Sequence, residues 1–265
     1  MEDFDLRDLV LAGVKWEVSD MPMALSSIAR VAFVADKKED IKNRDSAVDK
    51  SNSNRTHTSI VPPIAPQQAM SVETAAAMAA RPVDMDSLCR MISEFNHPLR
   101  SGATNVVLPQ VGKSLNGLVI VTDVPGADDD ATGNILSGAA GELMDKMLSA
   151  IGMSRDNVAI IPLVFWRTPG GRSPTREELD LARPFVNRCF GLLKPRLMLT
   201  LGTLSASEIA NVNLPRNHGV PVELASGTTV VPIYHPNYLI LKPTAKRDAW
   251  TALQLVQNLL KSADK

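Results

Sequence analysis

Two cysteines stand in the 265 residues. That is too few for a disulfide framework and, taken alone, too few to hold a zinc ion or an iron–sulfur cluster. Neither sign of charge is in excess: 28 Lys and Arg face 29 Asp and Glu, a formal net charge of −1. A nucleic-acid binder usually leaves a basic footprint, so the whole-chain balance argues against one. No run of about 18 apolar residues occurs, which excludes a membrane-spanning helix. The N-terminus, Met1-Glu2-Asp3-Phe4-Asp5, is acidic, whereas a secretory signal starts basic and turns apolar. A soluble, cytoplasmic protein is expected. Gly-x-Gly-x-x-Gly, Walker and Ser-elbow patterns are also missing, which weakens dinucleotide, phosphoryl-transfer and esterase readings. Aromatic residues make up only 4 %, but the 45 % hydrophobic content supplies a real core.

The charge that is present is unevenly placed. Met1 to Ala159 carries 15 basic and 22 acidic residues, whereas Ile160 to Lys265 carries 13 and 7. An acidic front is joined to a basic back, the kind of asymmetry that marks an anion-binding face or a set of solvated helices.

Three regions differ in texture. Residues 1–20 hold a short amphipathic helix, with Leu6, Leu9, Val10 and Val14 at helical spacing. Residues 37–82 are charged, then polar, then Pro-rich, and contain no aromatic residue. Such a stretch cannot offset its conformational entropy by burial, so a disordered linker is expected there, with an Ala-rich end able to form helix. Residues 84–265 form the folded domain.

Within that domain apolar runs alternate with helical patterns. Leu118–Val121, Val158–Val164, Leu197–Leu201 and Thr229–Ile233 suit buried strands. Helices are expected over Ser137–Ile151, Thr175–Leu193, Leu204–Ala210 and Thr244–Leu260. Thr175 with Glu178 forms a capping-box signature, and Pro184 should kink or split its helix. Ala249, Trp250, Leu253, Val256 and Leu260 share one face of the last helix. This alternation predicts an α/β fold, a three-layer α/β/α arrangement around a central four-stranded, mainly parallel sheet. Ligands bind such sheets beyond the carboxyl ends of the strands. Asp123–Gly126, Phe165–Arg172, Gly202-Thr203 and Tyr234–Asn237 lie there.

Two of those residues can carry chemistry. Asp123, at a strand mouth, can act as a base, orient water or stabilise a cation; it can equally end the strand by accepting turn N–H groups. His235 can donate to a developing anion or serve as a structural hydrogen-bonder. Asp128, Asp129 and Asp130 are adjacent, so their side chains diverge, and they read as a helix cap with no metal site. His57, His97 and His218 receive no role, and Cys89 and Cys189 read as ordinary buried thiols.

The order of the motifs resembles family 4 uracil-DNA glycosylases. Asp123-Val124-Pro125-Gly126-Ala127-Asp128-Asp129 is similar to their Gly-Glu-Ala-Pro-Gly-Ala-Glu-Glu segment. Gly141 to Leu148 resembles the helix that follows. Trp166 to Thr175 is similar to their Arg-Pro-Pro-Gly-Asn-Arg-x-Pro-Thr loop, and Arg183-Pro184-Phe185 comes after it. Leu199-Thr200-Leu201-Gly202, Tyr234-His235-Pro236-Asn237-Tyr238-Leu239 and Lys246-Arg247-Asp248-Ala249-Trp250 complete the series. The front of the chain looks like the layout of a bacterial branch of the family.

The resemblance implies an enzyme of base-excision repair that flips uracil, or a related deaminated base, out of DNA and hydrolyses its N-glycosidic bond. It implies Asp123 and His235 as catalytic residues and Val124, Pro125, Gly126, Leu136, Pro162 and Asn237 as the substrate pocket. Leu136 falls where the family has its stacking aromatic, and Pro162 where it has its base-reading Asn. Arg167, Arg172, Arg216, Lys246 and Arg247 are the implied contacts to DNA, single- or double-stranded. Family 4 enzymes hold a four-iron cluster by four cysteines, and the matching positions here are Glu94, His97, Trp166 and Ala182. No iron–sulfur cluster, and no other cofactor, is therefore expected. The alternative is a catalytically inert DNA-binding module of the same fold. A partner protein binding through residues 37–82 is a further expectation, and no membrane is involved.

Overall fold

The computed structural model describes residues 71–263. The helix expected in residues 1–20, and the expected linker as far as residue 70, lie outside the described residues. The Ala-rich end of the linker is ordered helix, α1 (Val72–Ala79), capped where the Ser71 Oγ accepts the Thr74 N–H at 3.2 Å. Its Ala75 and Ala79 are buried in one core cluster with residues of a later helix. Small side chains permit that close contact, so burial comes without the aromatic residues the stretch lacks.

After α1 come α2 (Met85–Glu94), β1 (Gln110–Val111), β2 (Leu118–Thr122), α3 (Ala127–Thr132), α4 (Gly138–Ala150) and β3 (Ala159–Pro162). Then follow α5 (Arg176–Leu193), β4 (Leu197–Leu201), α6 (Thr203–Ala210), α7 (Leu214–Asn217), β5 (Val222–Glu223), β6 (Thr229–Ile233), α8 (Pro236–Leu241) and α9 (Lys246–Ala263). The α/β/α reading holds, with one correction: among the described residues the sheet has six strands, in the order β1-β3-β2-β4-β6-β5. The four expected strands are the parallel centre. β1 and β5 are antiparallel edges of two residues each, too short to leave a periodic signal.

Alternation along the central strands builds two cores. Leu118 and Ile120 point to the face covered by Met144 and Leu148 of α4 and Ala249, Leu253 and Val256 of α9. Val119 and Val121 point the other way, towards Leu88 and Ile92 of α2 and Ala182, Phe185 and Cys189 of α5. Both faces are buried, which explains the continuous apolar runs.

Three expectations need correcting. α5 is not split at Pro184 but continues through it. Proline removes one N–H from the ladder, whereas seven other residues of this helix are buried and hold it in place. β3 stops at Pro162 instead of Val164, because the chain turns there and the Leu163 N–H goes to the carbonyls of Thr122 and Asp123, 3.1 Å each. Trp250 is 40 % exposed while Ala249 and Leu253 are buried. One residue is about 100° around a helix, which carries Trp250 off the core face.

Candidate active site

β3 lies on one side of β2, and β4, the next parallel strand, lies on the other. The carboxyl ends of β2 and β4 therefore flank the switch point, where open α/β sheets form their binding crevice. Asp123 sits there, one residue past β2. Its carboxylate accepts the Ser205 N–H at 2.7 Å and, more loosely, the Leu204 N–H at 3.4 Å. Both donors belong to the first turn of α6, where unpaired N–H groups and the helix dipole favour an anion. Gly202 makes the approach possible. Its φ is +111°, and a Cβ there would lie 2.2 Å from the Asp123 Oδ2.

His235 lies two residues past β6 and caps α8. Its Nδ1 accepts the Asn237 N–H at 3.2 Å, and its Nε2 lies 3.1 Å from the Thr122 Oγ1. An accepting Nδ1 assigns the neutral ring's proton to Nε2, which donates to Thr122. Burial pushes the His235 pKa down, against the opposing pull of Asp123 and Asp129. Burial likewise raises the Asp123 carboxyl, with the Ser205 bonds and His235 pulling the other way. Each group feels the other's charge, so the structure brings the two candidate residues into one electrostatic unit.

The pocket residues surround this unit unevenly. Pro125 is buried, Val124 and Gly126 are half-buried, and Asn237 is exposed. Pro162 is buried and pairs with Thr122 across the sheet. Leu136 is 2 % exposed and belongs to the core cluster beneath α4 and α9, so it serves as packed wall and not as an open stacking face. Leu136 adopts a left-handed backbone with φ 51°. Arg155 holds that turn by donating to the carbonyls of Ile135 and Leu136 at 2.8 and 2.7 Å. Asp129, one of the adjacent acids, caps α3 through the Gly126 N–H at 2.9 Å and takes the Ser137 N–H at 2.6 Å.

The cations divide. Arg167, Arg216, Lys246 and Arg247 make no ion pair among the described residues. Arg172, also among the expected DNA contacts, is ion-paired. Its two terminal nitrogens meet the Glu178 carboxylate at 2.5 and 2.8 Å, and Glu178 also takes the Thr175 N–H at 2.7 Å. The capping box and the Pro-Gly loop are thus locked together.

Sequence reasoning missed Thr122, Ser205 and Leu241. The first two bear on the site only through the sheet register and the start of α6. Leu241, at the end of the helix that His235 caps, is 84 % exposed, and Lys242, Lys246 and Arg247 beside it are exposed too. Its one signal was an apolar run, Tyr238-Leu239-Ile240-Leu241, too continuous for a helix with a single buried face.

Residues 109–254 match the family model described as the uracil DNA glycosylase superfamily. The chain belongs to the uracil DNA glycosylase superfamily. It is 32 % identical over 180 residues to a type-4 uracil-DNA glycosylase of Pyrobaculum aerophilum, covering 62 % of this chain and 88 % of that protein. It is 32 % identical over 146 residues to a type-4 uracil-DNA glycosylase of Thermotoga maritima, covering 54 % and 76 %. A third such enzyme, from Archaeoglobus fulgidus, is 31 % identical over 159 residues, covering 57 % and 79 %. Among the described residues, no helix is long and apolar enough to cross a membrane.

These relatives correct the expectation of no cofactor. Type-4 enzymes are a family that binds an iron–sulfur cluster, so kinship with them argues for one. Among the described residues, the side chains do not fit such a cluster. Cys89 on α2 is half-buried and Cys189 on α5 is buried, and burial raises both thiols. No group of three or more His, Cys, Asp or Glu able to hold a metal ion exists among the described residues. At the positions matched to cluster ligands, His97 stacks on Trp166 with centroids 4.8 Å apart and planes 10° from parallel, and Ala182 is buried in the core cluster that holds Trp166. The His97 Nδ1 accepts the Leu99 N–H at 3.2 Å and its Nε2 lies 3.0 Å from the Glu178 carbonyl, the same cap and tautomer as at His235.

Proposed function

We propose that this protein is a DNA glycosylase that hydrolyses the N-glycosidic bond of a uracil, or a related deaminated base, flipped out of DNA. One observation carries the reading: a neutral histidine whose Nε2 bears the proton, at the mouth of the strand next but one to a desolvated carboxylate at the sheet's switch point.

As the bond from the sugar C1′ to the base nitrogen breaks, its electron pair moves onto the base, whose carbonyl oxygen becomes the main seat of negative charge. The His235 Nε2–H, oriented by Asn237, turns from Thr122 to that oxygen and stabilises charge that exists only in the transition state. The sugar is left cationic, and the Asp123 carboxylate, held by the α6 amides, stabilises it and orients water onto C1′. Hydroxide adds to C1′ and the remaining proton reaches the departing base. The products are the free base and an abasic site.

The bond is out of reach inside a stacked duplex, so the base must leave the helix. Leu241, exposed among Lys242, Lys246 and Arg247, fits an apolar wedge that fills the gap while the cations meet phosphates. The second reading is a catalytically inert DNA-binding module. Pro162 favours it, because a proline at the pocket supplies no side-chain amide to read the base.

Single- and double-stranded DNA carrying one uracil, incubated with the protein and then treated with alkali, separates the two. Cleavage that vanishes in Asp123→Asn and His235→Ala supports the glycosylase. Salt-dependent binding without cleavage supports the inert module, and neither binding nor cleavage overturns both.

A further inference from the structure

Three rings stack outward from the wall of the site. His218 lies against Tyr234 with centroids 4.4 Å apart, and Tyr234 lies against Tyr238 at 4.5 Å, the planes tilted by 32° and 30°. The inner rung is half-buried, and its Nε2 has no hydrogen-bond partner among the described residues. The outer rung, Tyr238, is 37 % exposed and has no second aromatic partner among them. Tyr234 immediately precedes His235, and the Tyr238 N–H donates to the His235 carbonyl at 2.9 Å. The ladder therefore opens to solvent one helical turn from the imidazole.

Burial pushes the His218 pKa down, which keeps that ring uncharged. The ladder offers an aromatic face in a segment whose next cations in sequence, Lys242, Lys246 and Arg247, are all exposed. Aromatic faces interleaved with cations are how proteins hold unpaired nucleic acid, the ring taking a base and the cation its phosphate.

We propose that Tyr238, backed by Tyr234 and His218, is a stacking subsite for the nucleobase next to the flipped one, so that the protein grips single-stranded or locally opened DNA. This rests on the glycosylase reading for its location. Stacking accepts any base, so the subsite sets strand state and not sequence.

The test uses the full chain and a single-stranded oligonucleotide with 2-aminopurine, a fluorescent base, beside the uracil. Wild type is expected to quench the fluorescence on binding. Tyr238→Phe keeps the ring and the quench, whereas Tyr238→Ala loses it and raises KM for the single strand about tenfold, with kcat moving less. An unchanged KM and quench in Tyr238→Ala overturns the subsite, and so does a Tyr238→Phe variant as impaired as the alanine. If wild type releases no uracil, the glycosylase reading fails. The quench, compared across the same variants, still decides the subsite.

Discussion

The Asp123 carboxylate accepts the Ser205 N–H at 2.7 Å, tying the mouth of β2 to the first turn of α6 across the switch point of the sheet. A candidate catalytic carboxylate is thereby also a helix anchor. Because burial outweighs the bonds to Ser205 and raises its pKa, the charged form is held against a desolvation cost.

Asp123→Asn should separate the two roles. Glycosylase activity is expected to drop by about 10²- to 10⁴-fold. The Asn carbonyl can still accept from Ser205, so the fold persists. With a raised folded-state pKa, the aspartate's contribution to stability is full below its unfolded value of about 4 and is lost as pH rises through the folded value. The variant should therefore melt at or above the wild-type temperature at neutral pH and lose that advantage in acid. Melting curves at several pH values check this.

Gly202→Ala should disable the same carboxylate without replacing it. The added Cβ would lie 2.2 Å from the Asp123 Oδ2 on a backbone at φ +111°. Strain of about 1–3 kcal/mol and a large loss of activity are expected. Denaturant unfolding and a uracil-release assay read the two effects.

His97 should make the fold acid-sensitive. Burial lowers its pKa, its largest influence, and its Nδ1 must stay unprotonated to accept from Leu99. Stability is then full above the unfolded histidine pKa of about 6.5 and falls as pH drops from there through the lower folded value. The imidazole of His97, followed by NMR, should titrate below the free amino acid.

Arg172 and Arg167 should behave differently. Arg172→Ala breaks the fork on Glu178 and should lower the melting temperature while leaving the salt dependence of DNA binding unchanged. Arg167→Ala, Lys246→Ala and Arg247→Ala should each reduce the slope of log K against log salt by about 1. Binding titrations at several salt concentrations test both.

Thr200→Val should stabilise the protein. Thr200 is fully buried in β4 and its Oγ1 has no hydrogen-bond partner among the described residues. Replacing that hydroxyl with a methyl of nearly the same shape removes a desolvation cost of about 1–3 kcal/mol. A higher melting temperature is the expected result.

Much of the fold was legible because its signals are local. Five-residue apolar runs such as Leu118–Thr122 sit between turn residues, and Thr175 with Glu178 makes the expected box, with the Glu178 N–H 3.2 Å from the Thr175 Oγ1. What escaped leaves no periodic signal in the sequence. The edge strands exist only through their partners, and Trp250 left the core by the rotation of a single residue. Arg172, implied as a DNA contact, holds Glu178, six residues on in sequence, in its fork.

The candidate site divides along the same line. Residue order alone determined that Asp123 and His235 follow buried strands, and that the back half of the chain is basic although the whole is neutral. Strand order decided the rest. Only with β4 beside β2 does Asp123 reach the amides of α6, and only the end of β6 brings His235 against Thr122, 113 positions away. Local propensity reaches a few residues along the chain, whereas the charge and proton positions of these groups are set by burial and by partners that the sheet alone supplies.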